Sequence, residues 1–392
     1  YPALAIARAL SEREPRLRFT FFATHRPIDR RVLDRGDWEL VPQTLPPLRA
    51  APWGWPGVIR GYRGSSRACR LRFDRDRPLV VVGTGGFASV PAVRMARRAG
   101  IATALLNPDA IPGRANRLLA ADADAVFVQW PETADHFRPG TAVRVAGCPV
   151  RAAFNTPDRQ AGISRFSLDP KRKTLLVTGA SQGARSINEA MITNVDLLRA
   201  RDGWQVLHLT GDADHASVRR AYAAAATVGP GTGSHRERAG DPRRGDTVRF
   251  RVLPYTDHMA DALAASDLVV SRAGASTLAE ITAVGRAAIL MPYPYHRDMH
   301  QLANARRLVR AAAARIVFDT VDPARTGRML RAVLEELMTD DDARDHAAAA
   351  ARRIGRGSAA ADIAGQLLAL RPHGGAEGGC ESLEPARDPA RS

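Results

Sequence analysis

The sequence predicts an α/β chain built as two doubly wound, Rossmann-like domains facing a central cleft. Three observations carry that expectation. Short apolar runs alternate with helically spaced segments in two successive series, the pattern of parallel strands joined by crossover helices. Each series holds a glycine-rich strand-to-helix turn, GTGG at 83–86 and GASQG at 179–183. At 392 residues the chain also exceeds the roughly 250–300 beyond which one core stops growing.

The elements follow in order. Residues 1–10, YPALAIARAL, place Leu4, Ile6, Ala7 and Leu10 at helical spacing with no strand ahead of them, so the chain is expected to begin inside a fold. A strand at 18–23 precedes a helix-like segment and a Pro/Trp-rich connection at 41–57 with Trp53 and Trp55. The run at 79–82 reads as a buried strand that enters the GTGG turn and a helix near 91–99. Strand 102–106, helix 114–121 and strand 125–129 complete the first series.

A polar linker at 155–171 leads to strand 174–178, the second turn, and a helix with an apolar face of Ile187, Met191, Val195 and Leu198. Strand 205–209 and an Ala-rich helix at 217–226 come next. Residues 228–247 mix glycine, proline and charge without apolar periodicity and read as a surface loop. Strand 248–253, helix 259–265, strand 268–271, a helix from near Thr277 and strand 288–291 close the second sheet, and helices fill 326–369.

Composition narrows the class. Hydrophobic content of 45% with 25% charged residues is that of a globular chain. No run approaches the ~18 apolar residues of a membrane span. The three cysteines, Cys69, Cys148 and Cys380, are scattered, which argues against a disulfide framework or a zinc site. The net charge of +16 comes from 57 basic residues of which only Lys171 and Lys173 are lysines, a skew that fits a GC-rich genome. These residues are dispersed without an aromatic-rich recognition module, so no nucleic-acid partner is expected, while an anionic membrane surface suits the charge.

The chemistry concentrates in 267–304, DLVVSRAGASTLAEITAVGRAAILMPYPYHRDMHQLAN. A strand runs into the small residues Ala273, Gly274, Ala275 and Ser276, where backbone N–H groups can approach a phosphate and a helix N-terminus favours an anion. Glu280, one turn into the helix, can accept hydrogen bonds from vicinal hydroxyls. Asp298, His300, Gln301 and Asn304 follow the next strand; without a second histidine cluster they suit sugar hydroxyls better than a metal. The turn at 179–183 lacks the G-K-[ST] of a P-loop, and neither glycine turn fits a dinucleotide fingerprint, which disfavours kinases and NAD enzymes. Arg151, after the first domain's last strand, could reach a diphosphate.

These stretches, with VVGTGGFASVPA, DAIPGRANRLLA, GCPVR, TGASQGARSIN, SRAGASTLAEI and HRDMHQLANA in order, resemble the MurG family of peptidoglycan N-acetylglucosaminyltransferases from residue 1 to about 370. The resemblance implies the GT-B fold and an inverting hexosyltransferase. It would move N-acetylglucosamine from UDP-GlcNAc to undecaprenyl-pyrophosphoryl-N-acetylmuramyl-pentapeptide, lipid I to lipid II, with no cofactor and no metal. It further implies a peripheral seat on the cytoplasmic side of the inner membrane, with UDP-GlcNAc, the lipid-linked acceptor, the anionic membrane surface and other cell-wall enzymes as partners. The acceptor and membrane-side domain would be 1–152, the UDP-sugar domain 153–345, a C-terminal helix packing back toward the first domain 346–371, and a disordered tail 372–392.

Carried over residue by residue, Ser181, Gly183 and Arg151 would serve the donor phosphates. Ala273, Gly274, Ala275, Ser276, Thr277 and Leu278 would wrap the α-phosphate and uridine, and Glu280 would hold the ribose. Gln301 and Asn304 would contact the sugar, backbone near Thr256 would meet the uracil edge, and Gly85 and Gly86 would form the acceptor diphosphate site. Three departures stand out. The family's G-G-T-G-G-H loop, which carries the leading candidate for the base, is absent ahead of Tyr1, so the chain is expected to be a truncated copy. Asp109 and Cys148 stand where the family has asparagine. Asp109 is the substitute base and a substrate-site candidate. The alternatives are a GT-B transferase with another lipid or small-molecule acceptor, or an inactive membrane-associated scaffold of cell-wall assembly.

Overall fold

The computed structural model describes residues 1–23, 38–43, 45, 55–179, 183–227, 249–295, 299–320 and 322–371. Trp53, Ser181, Asp298, Cys380, the expected loop at 228–247 and the expected tail lie outside the described residues.

The chain opens with helix α1 (Pro2–Arg13), where proline at the first position sacrifices no hydrogen bond and Leu4, Ile6, Ala7 and Leu10 are buried. Strand β1 (Thr20–Ala23) pairs in parallel with β2 (Glu39–Pro42). Helix α2 (Trp55–Arg75) precedes β3 (Val80–Gly83), α3 (Ser89–Arg98), β4 (Ala102–Asn107), α4 (Arg114–Leu119), β5 (Ala125–Val128) and β6 (Val143–Val145). The last four strands form one parallel sheet in the order β3-β4-β5-β6. Every residue of β4 and β5 is buried, as strands covered on both faces require.

The first half was expected to make one sheet, and among the described residues its strands form two. A cavity of about 1980 Å³ separates β1 from β3 and is lined by every residue of both strands. Successive strand residues point to opposite faces, so a cavity touched by all of them runs along the strand edges, where the missing ladder would be.

The second half begins with α5 (Arg159–Phe166), capped by Asp158, whose carboxylate accepts the Ala161 N–H. The series β7 (Lys173–Thr178), α6 (Arg185–Ile192), α7 (Val195–Ala200), β8 (Trp204–Leu209), α8 (His215–Thr227), β9 (Phe250–Leu253), α9 (Met259–Ala265), β10 (Leu268–Ser271), α10 (Ala275–Val284), β11 (Ala287–Leu290), α11 (His300–Arg310) and β12 (Ala314–Ile316) follows. All six strands are parallel, in the order β12-β11-β10-β7-β8-β9. Period-two alternation sorts their side chains. Leu175, Val177, Leu268, Val270 and Ile289 pack in one core, and Leu176, Leu207, Val269, Ala288 and Leu290 in the other. Helices cover both faces.

After α12 (Pro323–Thr339), helix α13 (Asp341–Ile354) stays on the second domain, with Ala350 and Ala351 in the core that holds Leu278 and Ile281. Helix α14 (Ala359–Leu368) returns, placing Ile363 and Leu367 against Ile6 and Leu10 of α1. The segment 346–371 is therefore divided between the two domains. No helix among the described residues is long and apolar enough to cross a membrane.

Candidate donor and acceptor site

In the six-stranded sheet the direction of winding reverses between β7 and β10, the switch point outside whose carboxyl ends open α/β sheets bind ligands. Register aligns the exits: Ser271 lies opposite Thr178 on one side and Leu290 on the other. The segments carrying Gly183, 273–280 and Gln301 thus leave the sheet side by side.

Gly183 has a φ of 76°, and a Cβ there would fall 2.1 Å from the Thr210 carbonyl oxygen, so only glycine fits. Helices α6 and α10 start without a side-chain cap, which leaves their first N–H groups available to an anion. At Gly274, the residue before α10, nothing lies closer than 4.0 Å to the position a Cβ would take. The backbone there is open to a close-approaching ligand.

Side chains around this turn differ in what they can do. Ala273, Ala275 and Leu278 are buried, Leu278 completely, so any contact from them is through backbone. Thr277 is half-buried. Ser276 is half-buried. Cys148, whose Sγ donates to the Pro149 carbonyl at 3.9 Å, is buried, and desolvation pushes its thiol up to about 12, an inert group rather than a nucleophile. Glu280 is partly buried; desolvation raises its carboxyl to about 7 against the pull of the Arg151 guanidinium.

Arg151 donates from Nη1 to the Asp257 carbonyl at 3.1 Å and lies 5.3 Å over the Tyr1 ring and 5.0 Å over the Phe154 ring. Its Nε has no partner among the described residues. The same loop holds Thr256, whose Oγ1 accepts the His258 N–H at 3.0 Å. Arg151 and the backbone at Thr256 are therefore neighbours across the domain border, as Tyr1 and Tyr255 are through their hydroxyls at 3.3 Å.

Gln301 accepts the Tyr293 N–H at its Oε1, 3.0 Å away. Asn304 lies three residues further along α11. It is fully buried; its Nδ2 donates to Asp109 Oδ1 and to the Ala273 carbonyl, and its Oδ1 accepts the Ala110 N–H. These bonds tie α11 to the first domain and leave one lone pair of Oδ1 unused among the described residues. Asp109 is thus partnered by a neutral amide rather than a cation.

On the first domain, Gly85 and Gly86 have φ of 91° and 75°, and Ser89 Oγ donates to the Gly86 carbonyl at 2.9 Å to start α3. Thr84, Gly85, Gly86 and Phe87 open onto the 1980 Å³ cavity, which touches none of the donor-side residues. Arg272, within the stretch SRAGASTLAEI, was not among the expected site residues. A buried arginine at a strand end is its only signal.

Two parallel Rossmann-like domains with anion-ready helix starts at the switch point give the GT-B fold, and the sequence comparisons place the chain among glycosyltransferases. The chain belongs to glycosyltransferase family 28 and, within it, to the MurG family: residues 1–128 match the glycosyltransferase family 28 N-terminal domain and 174–367 its C-terminal domain. It is 32% identical over 365 residues to the UDP-N-acetylglucosamine–N-acetylmuramyl-(pentapeptide) pyrophosphoryl-undecaprenol N-acetylglucosamine transferase of Desulforamulus reducens, covering 93% of each chain. To the enzyme of that name from Moorella thermoacetica it is 36% identical over 353 residues, 90% of each. In structure it is similar to Acinetobacter baumannii MurG, with a TM-score of 0.70 at 22% identity over 94% of this chain and 95% of that one.

Proposed function

We propose that this chain transfers N-acetylglucosamine from UDP-GlcNAc, with inversion, to the C4 hydroxyl of undecaprenyl-pyrophosphoryl-N-acetylmuramyl-pentapeptide, making lipid II from lipid I. The observation that carries the reading is the pairing of the Gly183 turn and the α10 start at one switch point, with Glu280 a turn away. Backbone N–H groups from both turns receive the diphosphate, and the Glu280 carboxylate accepts the ribose hydroxyls. Negative charge grows on UDP as the anomeric bond breaks, and fixed dipoles with Arg151 lower its energy without reorganising.

The acceptor approaches from the first domain, its diphosphate at Gly85 and Gly86. The attacking hydroxyl must lose a proton. Asp109 is the base assigned for test: Asp109→Asn should abolish turnover with UDP affinity intact, and unchanged turnover would end its candidacy. On the outer side of α2, exposed Ile59 and Leu71 sit among exposed Arg60, Arg63, Arg67, Arg70 and Arg75. That face suits a peripheral seat on an anionic cytoplasmic leaflet, where the lipid-linked acceptor resides.

The test is a transfer assay with labelled UDP-GlcNAc and a short-chain analogue of the acceptor. A β-linked disaccharide product supports the reading. Transfer only to a diacylglycerol or aglycone acceptor, or no transfer by a chain that binds UDP, would overturn it.

A further inference from the structure

Behind the donor loops lies a buried cation that none of the roles above uses. Arg272, the residue after β10, is 7% exposed, and its hydrogen bonds go to segments leaving other strands. Nη2 donates to Ser186 Oγ at 2.6 Å and Asp319 Oδ2 at 3.0 Å; Nη1 donates to the carbonyls of Met291 at 2.9 Å and Pro292 at 3.3 Å. Ser186 Oγ in turn donates to Asp319 Oδ2 at 2.5 Å. The guanidinium also lies 5.5 Å from the Tyr293 ring centroid, and the Tyr293 N–H holds Gln301.

Ser186 belongs to the first turn of α6, just beyond Gly183, while Met291 and Pro292 follow β11 and Asp319 follows β12. One side chain from the β10 exit therefore fastens the exits of β7, β11 and β12. Stability alone is a poor account of it, because a buried ion pair roughly breaks even against apolar packing of the same volume. Geometry is a better one: a planar fork fixes several acceptors at set angles, which a flexible ammonium does not. Asp319 also balances the charge, so what Arg272 supplies to the donor side is position rather than field.

We infer that Arg272, with Asp319 and Ser186, is a positioning residue that sets the spacing between the α6 start, the α10 start and Gln301. The inference rests on the proposed UDP-GlcNAc site. Arg272 touches none of the donor itself; it holds the loops that do.

The test titrates the full chain and its variants with UDP-GlcNAc by calorimetry and follows thermal unfolding in parallel. Arg272→Lys keeps the charge pair but loses the fork, and should weaken UDP-GlcNAc binding about tenfold in a chain that still unfolds cooperatively, its midpoint lowered by the unpartnered Met291 and Pro292 carbonyls. Ser186→Ala removes one joint without stranding a charge, and should cost about three- to fivefold in affinity, the scale of one hydrogen bond. It decides the matter should Arg272→Lys fail to fold. Folded variants whose affinity stays within about twofold of the parent would overturn the inference. A parent chain that binds no UDP-GlcNAc would instead remove the proposed function, an outcome visible before any variant is titrated.

Discussion

Asn304 on α11 and Asp109 on the first domain are 195 residues apart in sequence and joined by one hydrogen bond, Nδ2 to Oδ1 at 2.8 Å. The same amide accepts the Ala110 N–H at 2.7 Å, and one turn on, Arg307 pairs with Glu132 at 2.5 Å. Helix α11 is thereby fastened to the first domain at the mouth of the cleft. Asn304→Ala leaves a buried N–H and a carboxylate oxygen without partners, and should cost about 2–4 kcal/mol in denaturant unfolding. Asp109→Asn retains the accepting oxygen and should stay within about 1 kcal/mol of the parent. Equal stability of Asn304→Ala and the parent would contradict the clamp.

Glu280 is expected to make both stability and donor binding depend on pH, because burial raises its carboxyl. Its carboxyl titrates at about 7 in the folded chain against the ordinary 4.5 of a solvated glutamate, so between those values the folded state holds a proton the unfolded state has lost. Stability should therefore fall as pH rises from about 4.5 to 7, by on the order of 2 kcal/mol after allowance for partial exposure. UDP-GlcNAc binding runs the opposite way, since ribose hydroxyls need the ionised carboxylate. Affinity should rise about tenfold between pH 6 and 8. Glu280→Gln should flatten both profiles; an unchanged profile in that variant would show that another group titrates.

Gly183 tests the turn rather than a side chain. Gly183→Ala combines a left-handed φ with a Cβ driven onto the Thr210 carbonyl, and should destabilise by about 1–3 kcal/mol while abolishing measurable UDP binding. The control Gly203→Ala, where nothing lies within 4 Å of the added Cβ, should leave UDP affinity unchanged.

The basic face of α2 can be separated from catalysis. Replacing Arg60, Arg63, Arg67 and Arg70 with glutamate should abolish cosedimentation with anionic vesicles, each lost contact being worth about 1 kcal/mol, and leave UDP-GlcNAc affinity intact. Retained vesicle binding would contradict the proposed seat on α2.

Much of the fold is legible in the sequence, for a physical reason. Parallel strands buried on both faces read as continuous apolar runs, and β7, β10 and β11 fall within a residue or two of expectation. Helix α2 does not read as a helix. Its inward positions Gly61, Ser65, Cys69 and Phe73 are mostly small or polar, so arginines dominate the pattern and hide the stripe. The broken first sheet is equally invisible, since pairing is a long-range property that β1 and β3 do not encode locally. In the site, the small-residue turns could be read because close approach demands small residues. The buried contacts that Asn304 and Arg272 make could not be read, since they join loops and strand exits far apart in sequence.

The central claim is that the β7–β10 switch point binds UDP-GlcNAc, and calorimetric titration of this chain with UDP, UDP-GlcNAc, UDP-galactose and ADP tests it most directly. The expected result is binding of the uridine compounds with UDP-GlcNAc preferred over UDP-galactose, and no binding of ADP. A folded sample that binds none of the uridine nucleotides would contradict the account.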